Sequence, residues 1–357
     1  MGKLHISSTP HIHQKGSSTH NIMRDVVIAM IPAAIAGVII FGLKALWIIL
    51  TCVASAVLSE VIFNLIARKK QTVGDFSAVV TGLLLALNLS IEVPLWQCVI
   101  GAVFAIVVVK CFFGGLGKNI VNPAIAARVF MLLTFSAVGT VVVAAPLFDL
   151  GFLGEAVPAA EIVASATPLI YLNQGAEVAA TGAPTVLQLF FGVYGGAIGE
   201  TCSFALIIGF IYLVARKVIK WYVPATFVVT VLICYLVFGG ANEIPVIVET
   251  VVSEKAGLIE IFTMLIKSVI SVISYSAKHV LAGGLLLGAI FMATDYVTTP
   301  ITGKGRVLFC VGAGLLTFAI RQFGSFPEGV SIAILTMNLV TPFLSSWTKK
   351  KTLGGVK

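Results

Sequence analysis

Four carboxylates lie within or beside long apolar stretches of this chain, where ionisable groups are rare. Glu60 and Glu200 fall in or near such stretches, and Asp75 and Asp295 sit at polar breaks next to them. A charge inside an apolar membrane segment costs about 3 kcal/mol or more and usually has a function. These residues are therefore candidates for an ion path or a pocket wall. Helix capping and snorkelling to the interface are the alternative for Asp75 and Asp295.

A glycine-rich run leads into a predicted helix after Pro123. Its sequence, residues 114–130, is GGLGKNIVNPAIAARVF. Backbone N–H groups at a helix start favour anions, and Lys118 and Arg128 add positive charge. Together with Asn122 they form a candidate binding site, and a tight turn is the alternative. The run lacks the Gly-Lys-Ser/Thr ending of a P-loop, and the chain has no G-x-G-x-x-G.

A long loop, residues 147–185, contains the sequence ASATPL at 164–169. Loops of this length are usually functional or disordered, and the hydroxyl of Thr167 offers a point of covalent attachment for a cofactor. The six cysteines show no C-x-x-C spacing, and four of the five histidines lie in the N-terminal tail. No metal site and no catalytic residue is therefore predicted.

The amino-acid composition indicates which kind of fold must position these candidate side chains. The 357 residues are 59% hydrophobic and only 11% charged, whereas soluble domains have about 25% charged residues. An all-α polytopic membrane protein is predicted. The formal net charge of +8 is better explained by basic loops facing the cytoplasm than by nucleic acid.

The hydropathy pattern predicts about ten membrane spans. A less uniform stretch, 258–276, is predicted to be an amphipathic helix on the outer surface, and an eleventh span is the alternative. The N-terminal segment has no apolar core, so no cleaved signal peptide is predicted. The spans are placed at 24–42, 45–66, 76–91, 94–113, 123–146, 186–215, 222–239, 279–294, 307–322 and 329–347.

The distribution of charge sets the orientation. With the N-terminus inside, most of the 23 lysine and arginine residues fall in cytoplasmic segments, as the positive-inside rule requires. Acidic residues concentrate in the loops that then face outward. Both termini are therefore predicted to lie in the cytoplasm, and loop 147–185 outside.

Two segments of similar sequence predict an internal repeat. Residues 82–94 read GLLLALNLSIEVP, and residues 284–300 read GLLLGAIFMATDYVTTP. The two copies run in opposite directions through the membrane, as inverted-topology repeats do. The predicted organisation comprises two five-helix repeats, an outer loop between them and two cytoplasmic tails. Their boundaries are 1–21 for the N-terminal tail, 22–146 and 186–347 for the repeats, 147–185 for the loop, and 348–357 for the basic tail.

Five motifs together resemble one family, in their order and approximate spacing. On these motifs the chain resembles RnfD, a membrane component of the Rnf ion-translocating oxidoreductase complex, and, less closely, its relative NqrB in the sodium-pumping NADH:quinone reductase. The resemblance covers nearly the whole chain. The motifs are GDFSAVVTGLLLALNL, GGLGKNIVNPAIAARVF, SATPL, GGAIGET and GAIFMATDYVTTPITGKGR.

The resemblance implies FMN joined by a phosphodiester to a threonine on the outer face. The family pattern is roughly Ser/Asp-Gly-Ala-Thr, and it maps onto Thr167 with Ala166 before it and Ser165 in place of the glycine. Thr185 is a weaker alternative, because proline precedes it. A second, non-covalent flavin, riboflavin or FMN, is implied as well. Its candidate residues are Lys118, Asn122 and Arg128.

The resemblance also implies a function and partners. The expected protein is one component of a ferredoxin:NAD oxidoreductase in the prokaryotic cytoplasmic membrane, which passes electrons through FMN and contributes to sodium or proton export. Expected partners are Rnf proteins of the A, B, C, E and G types, a flavin transferase and the lipid bilayer. A flavin-free secondary transporter and a structural scaffold are the alternatives, and neither needs a flavin on Thr167.

Overall fold

The computed structural model describes residues 19–135, 169, 172, 184–192, 194–254, 258–324 and 328–349. For 239–254, 258–261, 264 and 265 it describes the backbone alone. Every regular element in these ranges is helical. The prediction of an all-α membrane protein is confirmed in this form.

The first half of the described chain, residues 19–135, contains five helices. A short 3₁₀ turn, Val73–Asp75, precedes the third, and the fourth continues as a π-helix, Phe104–Cys111. The helices are α1 (Thr19–Phe41), α2 (Leu43–Ile66), α3 (Ser77–Leu87), α4 (Leu95–Val103) and α5 (Pro123–Thr134).

The second half, residues 184–349, contains seven helices. The fifth of them is a single turn that continues as a π-helix, Gly288–Met292. The helices are α6 (Val186–Phe191), α7 (Ser203–Ala215), α8 (Tyr222–Glu254), α9 (Leu258–Leu281), α10 (Leu285–Leu287), α11 (Gly303–Phe323) and α12 (Val330–Trp347).

Four helices, α1, α2, α11 and α12, are long and apolar enough to cross a membrane alone. A fifth span results if Ile266–Leu281 and Leu285–Met292, which are bent by 62°, count as one. In the described ranges, shorter apolar helices of 10–17 residues are Ser77–Leu87, Leu95–Cys111, Pro123–Thr134, Ser203–Ala215 and the first part of α8, Tyr222–Phe238. The count of ten spans and the orientation of the termini therefore stay predictions.

The two halves share one core. Helix α2 packs on α3 and α4, and α8 packs on α9 and α11. Across the halves, α1 packs on α7 and α5 packs on α12. Apolar side chains such as Ile35, Trp47 and Ile62 remain exposed on the outside of the bundle, as expected for helices that face lipid.

The prediction of one span over 186–215 is wrong. Helix α6 ends at Gly192, which has a φ of 86°, and α7 does not begin until Ser203. The sequence GGAIGET between them is not helical. Its backbone instead donates hydrogen bonds to the end of α3, from Ile198 N to Leu89 O at 3.0 Å and from Gly199 N to Leu87 O at 2.8 Å. These bonds satisfy carbonyls that a helix end leaves without partners.

Two further boundaries differ from the prediction. The predicted loop 240–257 is mostly helix, because α8 continues to Glu254; backbone hydrogen bonding in a helix does not require an apolar sequence. The predicted span 279–294 is broken at residues 282–284, where Gly283 has a φ of 69°. The predicted outer helix 258–276 lies within α9.

Candidate functional site

Arg128 is the centre of a buried polar cluster between the two halves. Its guanidinium donates hydrogen bonds to Asn88 Oδ1, to Glu200 Oε1 at 3.1 Å, and to Glu328 Oε2. The side chains of Arg128 and Glu200 are 12% and 2% exposed. Because a buried charge without a partner is very costly, the arginine and the two carboxylates depend on one another.

Breaks in the helices place these groups together. Asn88 follows the last residue of α3, Glu200 lies in the non-helical segment before α7, and Glu328 precedes α12. Asn88 also approaches the π-helix Gly288–Met292, which continues α10: Asn88 Nδ2 lies 3.9 Å from Met292 Sδ. The helical parts of the two similar segments, 82–94 and 284–300, therefore end close to each other beside the cluster.

Arg321 brings a second positive charge to this region. Its guanidinium donates to the carbonyl oxygens of His279 at 2.7 Å and Ala282 at 3.3 Å. A Cβ placed on Gly283 would lie 3.2 Å from Arg321 Nη2 and 3.4 Å from Glu328 Oε1. Both atoms thus flank Gly283, which shows how closely the backbone at this glycine approaches the charged groups.

A second buried ion pair joins Glu60 to Lys110. Lys110 Nζ lies 2.9 Å and 3.0 Å from the two carboxylate oxygens of Glu60 and donates to Ser77 Oγ at 2.6 Å. Thr72 Oγ1 donates to Glu60 Oε1 at 2.5 Å. Glu60, one of the predicted ion-path residues, is therefore neutralised within the first half by a lysine on the π-helical part of the α4 segment.

Asp75 lies at the start of α3, where it acts on the backbone. Its Oδ1 accepts hydrogen bonds from the backbone N and the hydroxyl of Ser77, the first of them at 2.8 Å. The N-cap residue of α3 is Phe76, which has a φ of 61° and makes no side-chain cap hydrogen bond. Asp75 instead closes a short turn onto Ser77, the first residue of α3, and so satisfies one backbone N–H group at the start of the helix.

A cleft opens between the halves near the starts of α3 and α5. Its volume is about 90 Å³, which is room for about three water molecules at roughly 30 Å³ each. Its polar lining groups are Ser77, Thr81, Lys110, Asn119, Asn122, Thr294, Asp295 and Tyr296. Asp295 accepts hydrogen bonds from Val297 N and Thr298 Oγ1, both at 3.1 Å, and burial raises the pKa of its carboxyl.

The three residues predicted for a second flavin do not form one site. Asn122 lines the cleft, and its Oδ1 caps α5 by accepting from Ala124 N at 3.0 Å. Lys118 is exposed and does not line the cleft. Arg128 lies on α5 about 9 Å along the axis from Asn122, and its partners are the carboxylates described above.

Ser165, Ala166 and Thr167 lie outside the described residues. Two neighbours downstream are described: Leu169 and Leu172 are buried in a small apolar cluster with Leu189, Tyr194 and Ala282. A Cβ on Gly283 would lie 2.8 Å from Leu169 Cδ1. Leu169 therefore packs beside the same glycine that Arg321 and Glu328 flank.

Thr185, the alternative attachment site, forms a capping box at the start of α6. Its hydroxyl accepts from Gln188 N at 3.3 Å, and Gln188 Oε1 accepts from Thr185 N at 2.8 Å. The side chain thus has a structural role in ending the loop.

Lys110, Glu328 and Asn88 were not singled out from the sequence. Lys110 lies inside an apolar span, and that position was a usable signal, although it was assigned to the cytoplasmic end of the span. Glu328 lies just before α12, in the sequence SFPEG, which has no feature to indicate a partner 200 residues away.

The fold and these sites define a class: a multi-pass helical membrane protein whose halves are joined by buried charged groups at broken helices. The chain belongs to the NQR2, RnfD, RnfE family, whose model matches residues 5–354.

Curated relatives agree with this assignment over nearly the full length. The chain is 39% identical to the D component of the Na⁺-translocating ferredoxin:NAD⁺ oxidoreductase complex of Acetobacterium woodii, over 99% of this chain and 96% of that protein. It is 35% identical to the D component of the proton-translocating ferredoxin:NAD⁺ oxidoreductase complex of Clostridium ljungdahlii, over 98% and 96%. It is 30% identical to the D component of the ion-translocating oxidoreductase complex of Vibrio cholerae, over 98% and 99%.

Proposed function

We propose that this protein is the RnfD component of an ion-translocating ferredoxin:NAD⁺ oxidoreductase complex in the prokaryotic cytoplasmic membrane, and that it carries FMN covalently on Thr167. Family membership and the names of the relatives support the first part. Those relatives are named for sodium in one case and for protons in the other. The exported ion is therefore left as sodium or proton.

The position of Leu169 carries the second part of the proposal. Leu169 is fully buried beside Gly283, and Thr167 is only two residues earlier in the chain. Two residues span at most about 7 Å. A group attached to Thr167 would consequently be tethered to the segment that Leu169 fixes beside Gly283.

The protein and the cofactor have separate tasks in this proposal. FMN supplies one-electron chemistry when bound, and a phosphodiester to the threonine hydroxyl keeps it from leaving a loop. Leu169 anchors the attachment segment to the second half. Arg128 holds Glu200 and Glu328 in place through its ion pairs. It thereby fixes the non-helical segments before α7 and α12 against α5, where the two halves meet. The other proteins of the complex, and a flavin transferase for maturation, are the partners required.

A second, non-covalent flavin is proposed for the cleft that Asn122 lines. Thr81 and Asn119 offer polar groups there, and Phe291 and Tyr296 offer aromatic surface. Riboflavin and FMN both suit such a lining. A three-ring flavin exceeds the enclosed 90 Å³, so binding requires the open side of the cleft as well.

The proposal is tested on the assembled complex, purified from cells that also produce the flavin transferase. Thr167→Ala is compared with wild type and with Thr185→Ser, which keeps a hydroxyl to cap α6. In denaturing gels we expect flavin fluorescence of this protein in wild type and Thr185→Ser, and none in Thr167→Ala. Ferredoxin:NAD⁺ activity should fall with the fluorescence. Fluorescence retained in Thr167→Ala would place the flavin elsewhere.

A flavin-free secondary transporter is the second candidate, because short helices that end at breaks beside buried charges are typical of transporter folds. It predicts no flavin in wild type and full ion transport in Thr167→Ala. The same set of variants therefore decides between the two functions.

A further inference from the structure

A basic pocket lies at the end of the bundle where α8 and α11 begin. Its volume is about 320 Å³, and Lys217, Lys220 and Arg306 line it together with Thr294 and Thr299. None of the described residues that line it carries a carboxylate. The nearest acidic residue in sequence is Asp295, whose carboxylate accepts hydrogen bonds from Val297 and Thr298.

The first turns of two helices contribute to the same pocket. Helix α8 begins at Tyr222 and α11 at Gly303, and both lining residues Val223 and Arg306 belong to these first turns. A Cβ on Gly303 would lie 3.3 Å from the hydroxyl oxygen of Tyr222, so the two helix starts are adjacent. Helix N-termini carry partial positive charge and attract anions, which adds to the three cationic side chains.

The cations have donors left for a ligand. Arg306 uses its Nε to donate to Pro300 O at 3.0 Å, and its terminal amino groups make no other hydrogen bond within the described ranges. Lys220 Nζ lies 5.9 Å from the ring centre of Tyr222 and, like Lys217, has no ion pair in the part of the chain that the structure describes. Three positive groups with no carboxylate among the described lining residues give the pocket a positive potential that attracts anions.

We propose that this pocket binds a phosphate group. A singly or doubly charged phosphate suits one arginine and two lysines, since arginine binds phosphate in a fork and lysine as a point charge. The phosphate can come from the headgroup of an anionic lipid or from a soluble phosphate compound. The exposed side chain of Trp221, next to the lining residue Lys220, is of the kind that lies at a membrane interface.

The experiment measures lipid binding to the purified protein by native mass spectrometry, with phosphatidylglycerol as the anionic probe and phosphatidylcholine as the neutral comparison. One variant is the double substitution Lys217→Gln/Lys220→Gln, between α7 and α8, and a second, separate variant is Arg306→Gln in α11. The matched control is Lys69→Gln/Lys70→Gln, which removes two exposed lysines outside the pocket. Gel-filtration elution monitors folding of each variant.

We expect phosphatidylglycerol to bind wild type more tightly than phosphatidylcholine. Each neutralised lysine should weaken that binding about fivefold, and the control should change it less than twofold. If inorganic pyrophosphate displaces phosphatidylglycerol from wild type and the pocket variants fail to bind pyrophosphate, the ligand is a soluble phosphate compound, which also supports the site. Equal binding by wild type and both pocket variants, or an equal loss in the control, would overturn the proposal.

Discussion

Arg128 and Glu200 are 72 residues apart in the chain, and their side chains connect the two halves of the protein through an ion pair of 3.1 Å. Glu328 joins the same guanidinium from a third segment. One arginine on α5 therefore fixes two non-helical segments of the second half. The ion pairs are buried, so their loss has consequences that loss of an exposed pair does not.

Replacement of Arg128 by methionine leaves Glu200 and Glu328 buried without their cation. We expect a loss of about 3–5 kcal/mol in the free energy of unfolding, seen as a lower apparent Tm of the detergent-solubilised protein. Arg128→Lys should lose less, because lysine keeps the charge but not the forked geometry. The control Lys118→Gln, at an exposed position, should stay within about 0.5 kcal/mol of wild type. Equal stability of Arg128→Met and the control contradicts the buried-cluster assignment.

The pair between Glu60 and Lys110 predicts strong coupling. Lys110→Met alone leaves Glu60 as a buried charge, whereas Lys110→Met/Glu60→Gln removes both charges. The double variant should therefore be more stable than Lys110→Met, with a coupling energy of about 1–3 kcal/mol in a double-mutant cycle. Additive effects within about 0.5 kcal/mol would show that the two side chains do not interact. Measured in the assembled complex, ion transport by Glu60→Gln tests the separate prediction of an ion path.

Asp75 is expected to act through its hydrogen bonds to Ser77 at the start of α3. Asp75→Asn keeps an acceptor oxygen for Ser77 N, and stability should change by no more than a few tenths of a kcal/mol. Asp75→Ala removes the acceptor and should cost about 1 kcal/mol. If ion transport falls in Asp75→Asn while stability is unchanged, the charge of Asp75 has a role beyond these hydrogen bonds.

Gly199 is tied to the end of α3 by space as well as by a hydrogen bond. A Cβ there would lie 2.6 Å from Leu87 Cβ and 3.0 Å from Leu87 O. Gly199→Ala should therefore displace the segment from α3 and cost about 1–3 kcal/mol. The matched control is Gly74→Ala, where a Cβ meets nothing within 4 Å. Identical apparent Tm values for the two variants would contradict this packing.

The sequence predicted the parts of the fold that depend on local pattern. The predicted spans 45–66 and 329–347 agree with α2 and α12 to within two residues, because long apolar runs between polar ends determine such helices. The break within 186–215 was missed, since Gly195, Gly196 and Gly199 also fit a closely packed helix face. The left-handed Gly192 at the end of α6 and the hydrogen bonds to Leu87 and Leu89 stabilise the broken form.

The candidate site was predicted in part for a similar reason. Glu60 and Glu200 stood out because a carboxylate in an apolar segment is unusual, but their cations could not be paired with them from spacing. Lys110 is 50 residues from Glu60, and Glu328 is 200 residues from Arg128. Asn122 was placed correctly at a helix start by Pro123 after it, whereas Arg128 was grouped with Lys118 by nearness in the chain alone.

Peptide mapping of the wild-type protein is the decisive measurement for covalent FMN on Thr167. Chymotrypsin cleaves after Leu153 and Leu169 and so yields a peptide, residues 154–169, in which Thr167 is the one threonine. We expect this peptide to carry the mass of FMN less one water, with fragmentation placing the addition on Thr167. Two results would contradict the assignment, each with an unmodified 154–169 peptide. In the first, the same addition is found on the peptide that contains Thr185. In the second, it is found on no peptide of the matured complex.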